Sequence, residues 1–220
     1  MLHVSCFMNI IVLGPQGSGK GTQAQLLAEK FSFEHIDMGK TLREVAKTDT
    51  PLGKEIYAIQ NITKTLVPSR ILKEVLHLKL GSLSREQGLV IDGAPRTMDQ
   101  ASYLEEALLE FGRKISKLIF INISEETSIE RISKRWVCEK CKINLIMGKD
   151  IQSAQEQCPV CEGKIMQRVD DTPEGVHKRL EIFRNETMLV IEYFRGKNLV
   201  LEIDGQKSIE EVFEEIVNKL

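Results

Sequence analysis

A five-residue apolar run, Asn9–Leu13, leads straight into GPQGSGKGT (Gly14–Thr22), and a helix-forming stretch, GTQAQLLAEKF, follows at once. The run is short and rich in β-branching, which reads as a parallel strand buried on both faces. Ala24, Leu27, Ala28 and Phe31 recur along one side of the stretch that follows, the mark of a helix packed on a core. A strand, a glycine-rich turn fitting G-x-x-x-x-G-K and a helix together form a unit whose loop N–H groups point inward at phosphate oxygens. The helix N-terminus adds partial positive charge, and Lys20 extends to the β and γ phosphates. Gly14, Gly17, Ser18, Gly19, Lys20, Gly21 and Thr22 are therefore candidate phosphate ligands. A plain glycine turn with an incidental lysine is the alternative, and the agreement of strand, loop and helix weighs against it.

The rest of the chain continues the alternation. His35–Asp37, Leu89–Ile91, Leu118–Ile123 and Leu199–Ile203 read as further strands. Between them, residues 39–80 read as helical pieces interrupted by Pro51, Gly53 and Pro68. Helices are also expected over Met98–Phe111, Thr127–Trp136 and Pro173–Phe194, the last with proline in its first turn. A closing helix, Ser208–Leu220, carries Ser208 as N-cap and Glu211 as its capping-box partner. Residues 137–167 break the pattern. Strands alternating with helices imply right-handed crossovers and an α/β fold, a parallel sheet covered by helices on both faces. At 220 residues one domain, 1–220, is expected. Ligands of such sheets bind beyond the carboxyl ends of the strands, so Gly14 and Asp92 should open into one crevice.

A formal net charge of −2 supplies no basic field for nucleic acid or an anionic membrane surface. No apolar run approaches the about 20 residues that span a bilayer. The opening MLHVSCFMN has neither a basic n-region nor a small-residue cleavage site, so no signal peptide is expected, and Met8 stays open as a start beside Met1. Cytoplasmic location and a monomer are the expectations. Cys6 stands alone, whereas Cys138-x2-Cys141 and Cys158-x2-Cys161, sixteen residues apart, have the spacing of a four-thiolate structural zinc site. A disulfide framework fits a reducing compartment less well. A nucleic-acid-binding zinc ribbon is a further alternative, although no aromatic residue lies between Cys138 and Cys161 to stack a base.

GPQGSGKGTQ, with Gln23 at its end, resembles the phosphate loop of adenylate kinases and their nucleoside monophosphate kinase relatives. The likeness continues through MGKTLR (Met38–Arg43), Leu66-Val67, DGAPRTMDQ (Asp92–Gln100), ERISKR (Glu130–Arg135) and RVDDTPEGVHKRL, which holds Arg168, Asp170, Asp171 and Arg179. It implies a five-stranded parallel P-loop kinase core, a helical monophosphate-binding insert at 37–67 and a zinc-containing lid at 135–168. It also implies Mg²⁺-dependent transfer of a phosphoryl group from ATP to AMP, with UMP or CMP as alternative acceptors. Met38, Gly39, Arg43, Leu66, Val67, Gly93, Arg96, Gln100, Arg168 and Arg179 then fall to the monophosphate side. Arg131, Arg135 and Lys207 fall to the ATP side, and Lys20, Arg96, Arg131, Arg168 and Arg179 to the transferring group. Gln100 also reads as a helix-surface glutamine, and DGQK around Lys207 as a simple turn. A catalytically silent nucleotide-binding protein is a further alternative, against which the intact lysine and arginine set argues.

So many arginines suit the chemistry. Two nucleotides bring a heavy negative charge into one water-poor cleft, and a planar guanidinium grips phosphate in two places without losing its proton. Gly21 stands where a hydroxyl often holds Mg²⁺, so the cation should be held through water and phosphate oxygens, with Asp92 as an outer-shell carboxylate. Asp92 as a mere helix cap is the alternative. Met38, Lys40 and Ala94 depart from the family pattern, which usually has a threonine or small residue, an aspartate and a phenylalanine there. Met38 and Ala94 would line the monophosphate base pocket, the methionine filling volume that the alanine leaves.

Overall fold

The structure, a computed structural model, describes residues 7–63, 67–167 and 171–220. The first apolar run is β1 (Asn9–Leu13), followed by α1 (Lys20–Phe31), β2 (Glu34–Asp37) and α2 (Met38–Val45). Next come α3 (Pro51–Ala58), which passes into a π-helical turn at Ile59–Thr63, then α4 (Ser69–Leu80), β3 (Leu89–Asp92), α5 (Met98–Glu110), β4 (Lys117–Asn122) and α6 (Glu125–Ser133). Three short strands follow, β5 (Arg135–Cys138), β6 (Asn144–Ile146) and β7 (Ile165–Met166). The chain closes through α7 (Pro173–Ile182), a π-helical stretch at Phe183–Thr187, α8 (Met188–Gly196), β8 (Val200–Asp204) and α9 (Ile209–Lys219).

The main sheet is parallel throughout, in the order β2-β3-β1-β4-β8. β1 is wholly buried because helices cover both faces, and its alternation sorts side chains into two cores. Ile11 and Leu13 join Leu89, Ile91, Leu118 and Phe120 on the side packed with α4, α5 and α8. Ile10 and Val12 join Val90, Ile119, Ile121 and Ile203 beneath α1 and α9. Arg113, nearly buried, ties the start of β1 down by donating to Asn9 Oδ1 and to the Gln87 carbonyl.

Two expectations need correction. Pro51 and Gly53 do not interrupt a helix: Pro51 occupies the first turn of α3, where its missing N–H costs nothing, and Thr50 caps the Gly53 amide. Trp136 is not helical, because α6 stops at Ser133 and Arg135–Cys138 enters β5. Residues 137–167 form an antiparallel sheet in the order β6-β5-β7 with a small core of Leu145, Ile151 and Ile165 around the cysteines. The capping box of Ser208 and Glu211 is present as expected.

Candidate functional site

The loop after β1 turns on glycine. Gly17 and Gly19 lie at φ +80° and +86°, where L side chains are strained. A Cβ on Gly14 would stand 2.5 Å from the Ile121 carbonyl oxygen, so only hydrogen fits between the loop and β4. Ser18 is buried with a hydroxyl that has no hydrogen-bond partner, and Lys20 Nζ lies 3.3 Å from the Pro15 carbonyl across the turn. A glycine turn between strand and helix with an ammonium folded over it suits a phosphate. Two neighbours brace it from α6: Ser128 Oγ donates to the Gln16 carbonyl, and Arg131 Nη1 donates to the Gly17 carbonyl at 3.3 Å. Thr22 is exposed on α1, and Gln23 is turned away from the crevice, donating to the Ile209 carbonyl of α9.

Beside the loop, β3 ends in Asp92, which is 7% exposed and has an Oδ1 without a hydrogen-bond partner. Its Oδ2 lies 3.1 Å from where a Cβ on Gly21 would be, so the glycine after Lys20 lets helix and carboxylate approach. Burial raises the Asp92 carboxyl above its ordinary value; Lys20 opposes the rise and Asp37 adds to it. Gly93, at φ +81°, then turns the chain into Ala94-Pro95 and Arg96.

Arg96 is held from several sides. Its Nε donates to the Gly93 carbonyl at 2.9 Å, its backbone N–H to Gln100 Oε1 at 2.8 Å, and its own carbonyl accepts from Thr187. Burial lowers its proton affinity, Asp92 restores part of it, and the charge of nearby Arg179 lowers it again. Two guanidinium groups close enough to repel mark a place where an anion is wanted. Gln100 is buried and its Nε2 donates to the Val67 carbonyl at 3.1 Å, so it ties the chain just before α4 to α5 and is no surface residue. Arg43 is exposed on α2 beside Gly39, whose missing Cβ leaves 3.2 Å to Arg43 Nη1. Met38 and Ala94 are buried in one cluster, and Lys40 is exposed.

A second group of cations gathers at Asp171. Its carboxylate has no solvent exposure, accepts a two-pronged contact from Arg135 (2.9 and 2.6 Å) and further bonds from Arg179 (3.1 Å) and Gln16 (3.0 Å). A planar acceptor held in this way satisfies the fork geometry that a phosphate would also satisfy. Lys207 is drawn to α9, its ammonium 2.7 Å from Glu215. Leu66 and Arg168 lie outside the described residues. The sequence pattern does not single out Gln16, Ser128 or Thr187; only the position of Gln16 inside the loop could have drawn attention to it.

The four cysteines of the small antiparallel sheet come together. Their sulfurs lie within 4.8 Å of one another, with Cys138–Cys161 at 3.4 Å and Cys141–Cys158 at 3.7 Å. Sulfurs bound to zinc at about 2.3 Å in a tetrahedron stand about 3.8 Å apart, so the cage fits such an ion. Burial alone would raise the Cys138 thiol, but the backbone amides of Cys141 and Lys140, with Cys161, outweigh it and bring it down to about 6. A Cβ on Gly163 would stand 2.9 Å from Cys138 Sγ, so glycine leaves room at the knuckle. No helix among the described residues is long and apolar enough to cross a membrane.

A family model described as adenylate kinase matches residues 12–199. The chain is 39% identical to an adenylate kinase of Clostridium tetani over 97% of its own length and 98% of that relative. It is 37% identical to an adenylate kinase of Caldicellulosiruptor bescii over 97% and 99% of the two chains. With an adenylate kinase of Dehalococcoides mccartyi it shares 37% identity over 96% and 97%.

Proposed function

The chain belongs to the adenylate kinase family, and on that premise we propose how its own residues divide the work of an enzyme that passes a phosphoryl group from ATP to AMP to give two ADP. The observation that carries the reading is the glycine cradle at Gly14–Gly19 with Lys20 over it, the unpartnered Asp92 carboxylate beside it and the guanidinium groups of Arg96 and Arg179 close by. Phosphoryl transfer asks little covalent chemistry of a protein. It asks for in-line placement and for fixed positive charge where negative charge moves. Loop amides of Gly17–Gly21 and Lys20 hold the ATP phosphates. Arg131 and Arg135 approach them from the lid side, and Arg43, Arg96 and Gln100 orient the monophosphate. Arg179 faces the group in transit, a role that the family resemblance also assigns to Arg168. Asp171 gathers Arg135 and Arg179 in this structure, so nucleotide phosphates have to displace a carboxylate already seated on both.

Mg²⁺ arriving with ATP would neutralise negative charge on its phosphates. The Asp92 carboxylate suits an outer-shell partner because it is buried, unpartnered and adjacent to the loop. Cys138, Cys141, Cys158 and Cys161 would hold a Zn²⁺ ion in the lid, 135–168; four thiolates would leave no open coordination position, which makes its role structural. A rigid lid that closes expels water that would otherwise hydrolyse ATP. The insert at 37–67 carries the monophosphate side. Cytoplasmic location and a monomeric state complete the proposal. Purified zinc-replete protein offered ATP with AMP, UMP or CMP in a coupled ADP-release assay is expected to favour AMP and to contain one zinc per chain. Preference for UMP or CMP would move the acceptor assignment, and no ADP with any acceptor would overturn the reading.

A further inference from the structure

Asp37 ends β2 where Asp92 ends β3, and the two are direct register partners on neighbouring parallel strands. Such partners project to the same face from backbones about 4.8 Å apart. The shared face is that of Val90, which packs with Ala24, Leu27 and Ala28 of α1, the helix entered from the phosphate loop. Two carboxylates therefore stand side by side at the crevice that receives the phosphates. Of the pair, Asp92 is deeply buried and carries an oxygen with no hydrogen bond, while its other oxygen is set against Gly21 at the start of α1. Adjacent carboxylates in a poorly solvated place repel each other unless a cation lies with them.

Asp37 also has a plain local duty. Its Oδ1 accepts the Lys40 backbone N–H at 2.8 Å and caps α2. That bond fixes the carboxylate and leaves its second oxygen over. A cap, however, needs only an acceptor: asparagine and serine serve as well as aspartate. The helix N-terminus favours a negative charge there, and register with Asp92 gives the same charge a second place to act.

We propose that Asp37 is a second outer-shell carboxylate for the divalent cation that arrives with the nucleotide, paired with Asp92 across β2 and β3. Water molecules on the cation donate to both carboxylates, so the metal–phosphate unit is gripped from the sheet side while Lys20 and the loop grip its phosphates. This rests on the outer-shell reading of Asp92 given above.

The test uses Mn²⁺ as the probe, titrated by electron paramagnetic resonance against the full-length protein with ADP present. Asp37→Asn and Asp37→Ser keep the cap and remove the charge; Asp92→Asn serves as the reference. Both Asp37 variants are expected to bind Mn²⁺ about tenfold more weakly in the ADP complex, with metal-free ADP affinity unchanged or tighter. Unchanged Mn²⁺ affinity in the Asp37 variants, with a loss in Asp92→Asn, overturns the proposal and leaves Asp92 as the sole carboxylate. No loss in any of the three overturns the proposal and the Asp92 reading together. Thermal melts of each variant establish that the fold is intact, and the two Asp37 substitutions stand in for each other if one does not fold.

Discussion

The phosphate crevice and the lid solve the same problem, fixing polar groups in space, by opposite means. In the crevice the fold comes first: two apolar cores clamp β1 from both sides, and the loop inherits its shape from where strand and helix must go. In the lid the order reverses. Leu145, Ile151 and Ile165 are too few to hold a three-stranded sheet alone, and the four sulfurs at its centre do what a core would do. The crevice should therefore lose function without losing structure when its charges go, whereas the lid should lose structure when its metal goes.

The largest effect is expected in the crevice. Lys20→Ala should cut kcat by about a thousandfold with little change in melting temperature, read by coupled assay and calorimetry. If the melting temperature fell as steeply, the separation of site from scaffold drawn here would be wrong. In the lid, Cys158→Ser should abolish stoichiometric zinc and cut kcat/KM by roughly a hundredfold, because the lid arginines are no longer placed. Far-UV circular dichroism of the core should survive that substitution.

Asp92→Asn sharpens the contrast further, since it should trade activity for stability. Burial holds the folded Asp92 carboxyl above its ordinary value of 3.8. Between that value and the raised one the native state carries more protons than the unfolded chain, so stability falls as pH rises through this window. The asparagine variant should melt about 2–4 °C higher than the unsubstituted protein at neutral pH, with the gap closing below pH 3.8. The smallest effect concerns the acceptor pocket. Ala94→Phe should raise the KM for AMP by about threefold to tenfold through overpacking beside Met38, and Met38→Thr added to it should recover part of the loss.

The two regions also differ in how far the sequence speaks for them. The strand–loop–helix unit at Asn9–Phe31, the strand ending in Asp92 and the capping box at Ser208 were legible because each depends on residues close in sequence. The four cysteines were legible by spacing, but the sheet around them was not: β6 and β7 are three and two residues long, and metal-centred packing leaves no apolar periodicity to find. Pro51 misled because proline reads as a break, whereas at the first turn it begins a helix. Asp171 as the meeting point of Gln16, Arg135 and Arg179 joins partners 155, 36 and 8 residues away in sequence, and only folding brings the first two to it.

Hydrogen exchange followed by mass spectrometry, with and without a zinc chelator, tests most directly whether metal holds the lid and apolar packing holds the crevice. Removal of zinc should bring peptides from 135–167 to rapid exchange while those covering β1, the phosphate loop and β3 keep their protection. Loss of protection across both regions at once, or in neither, would contradict it.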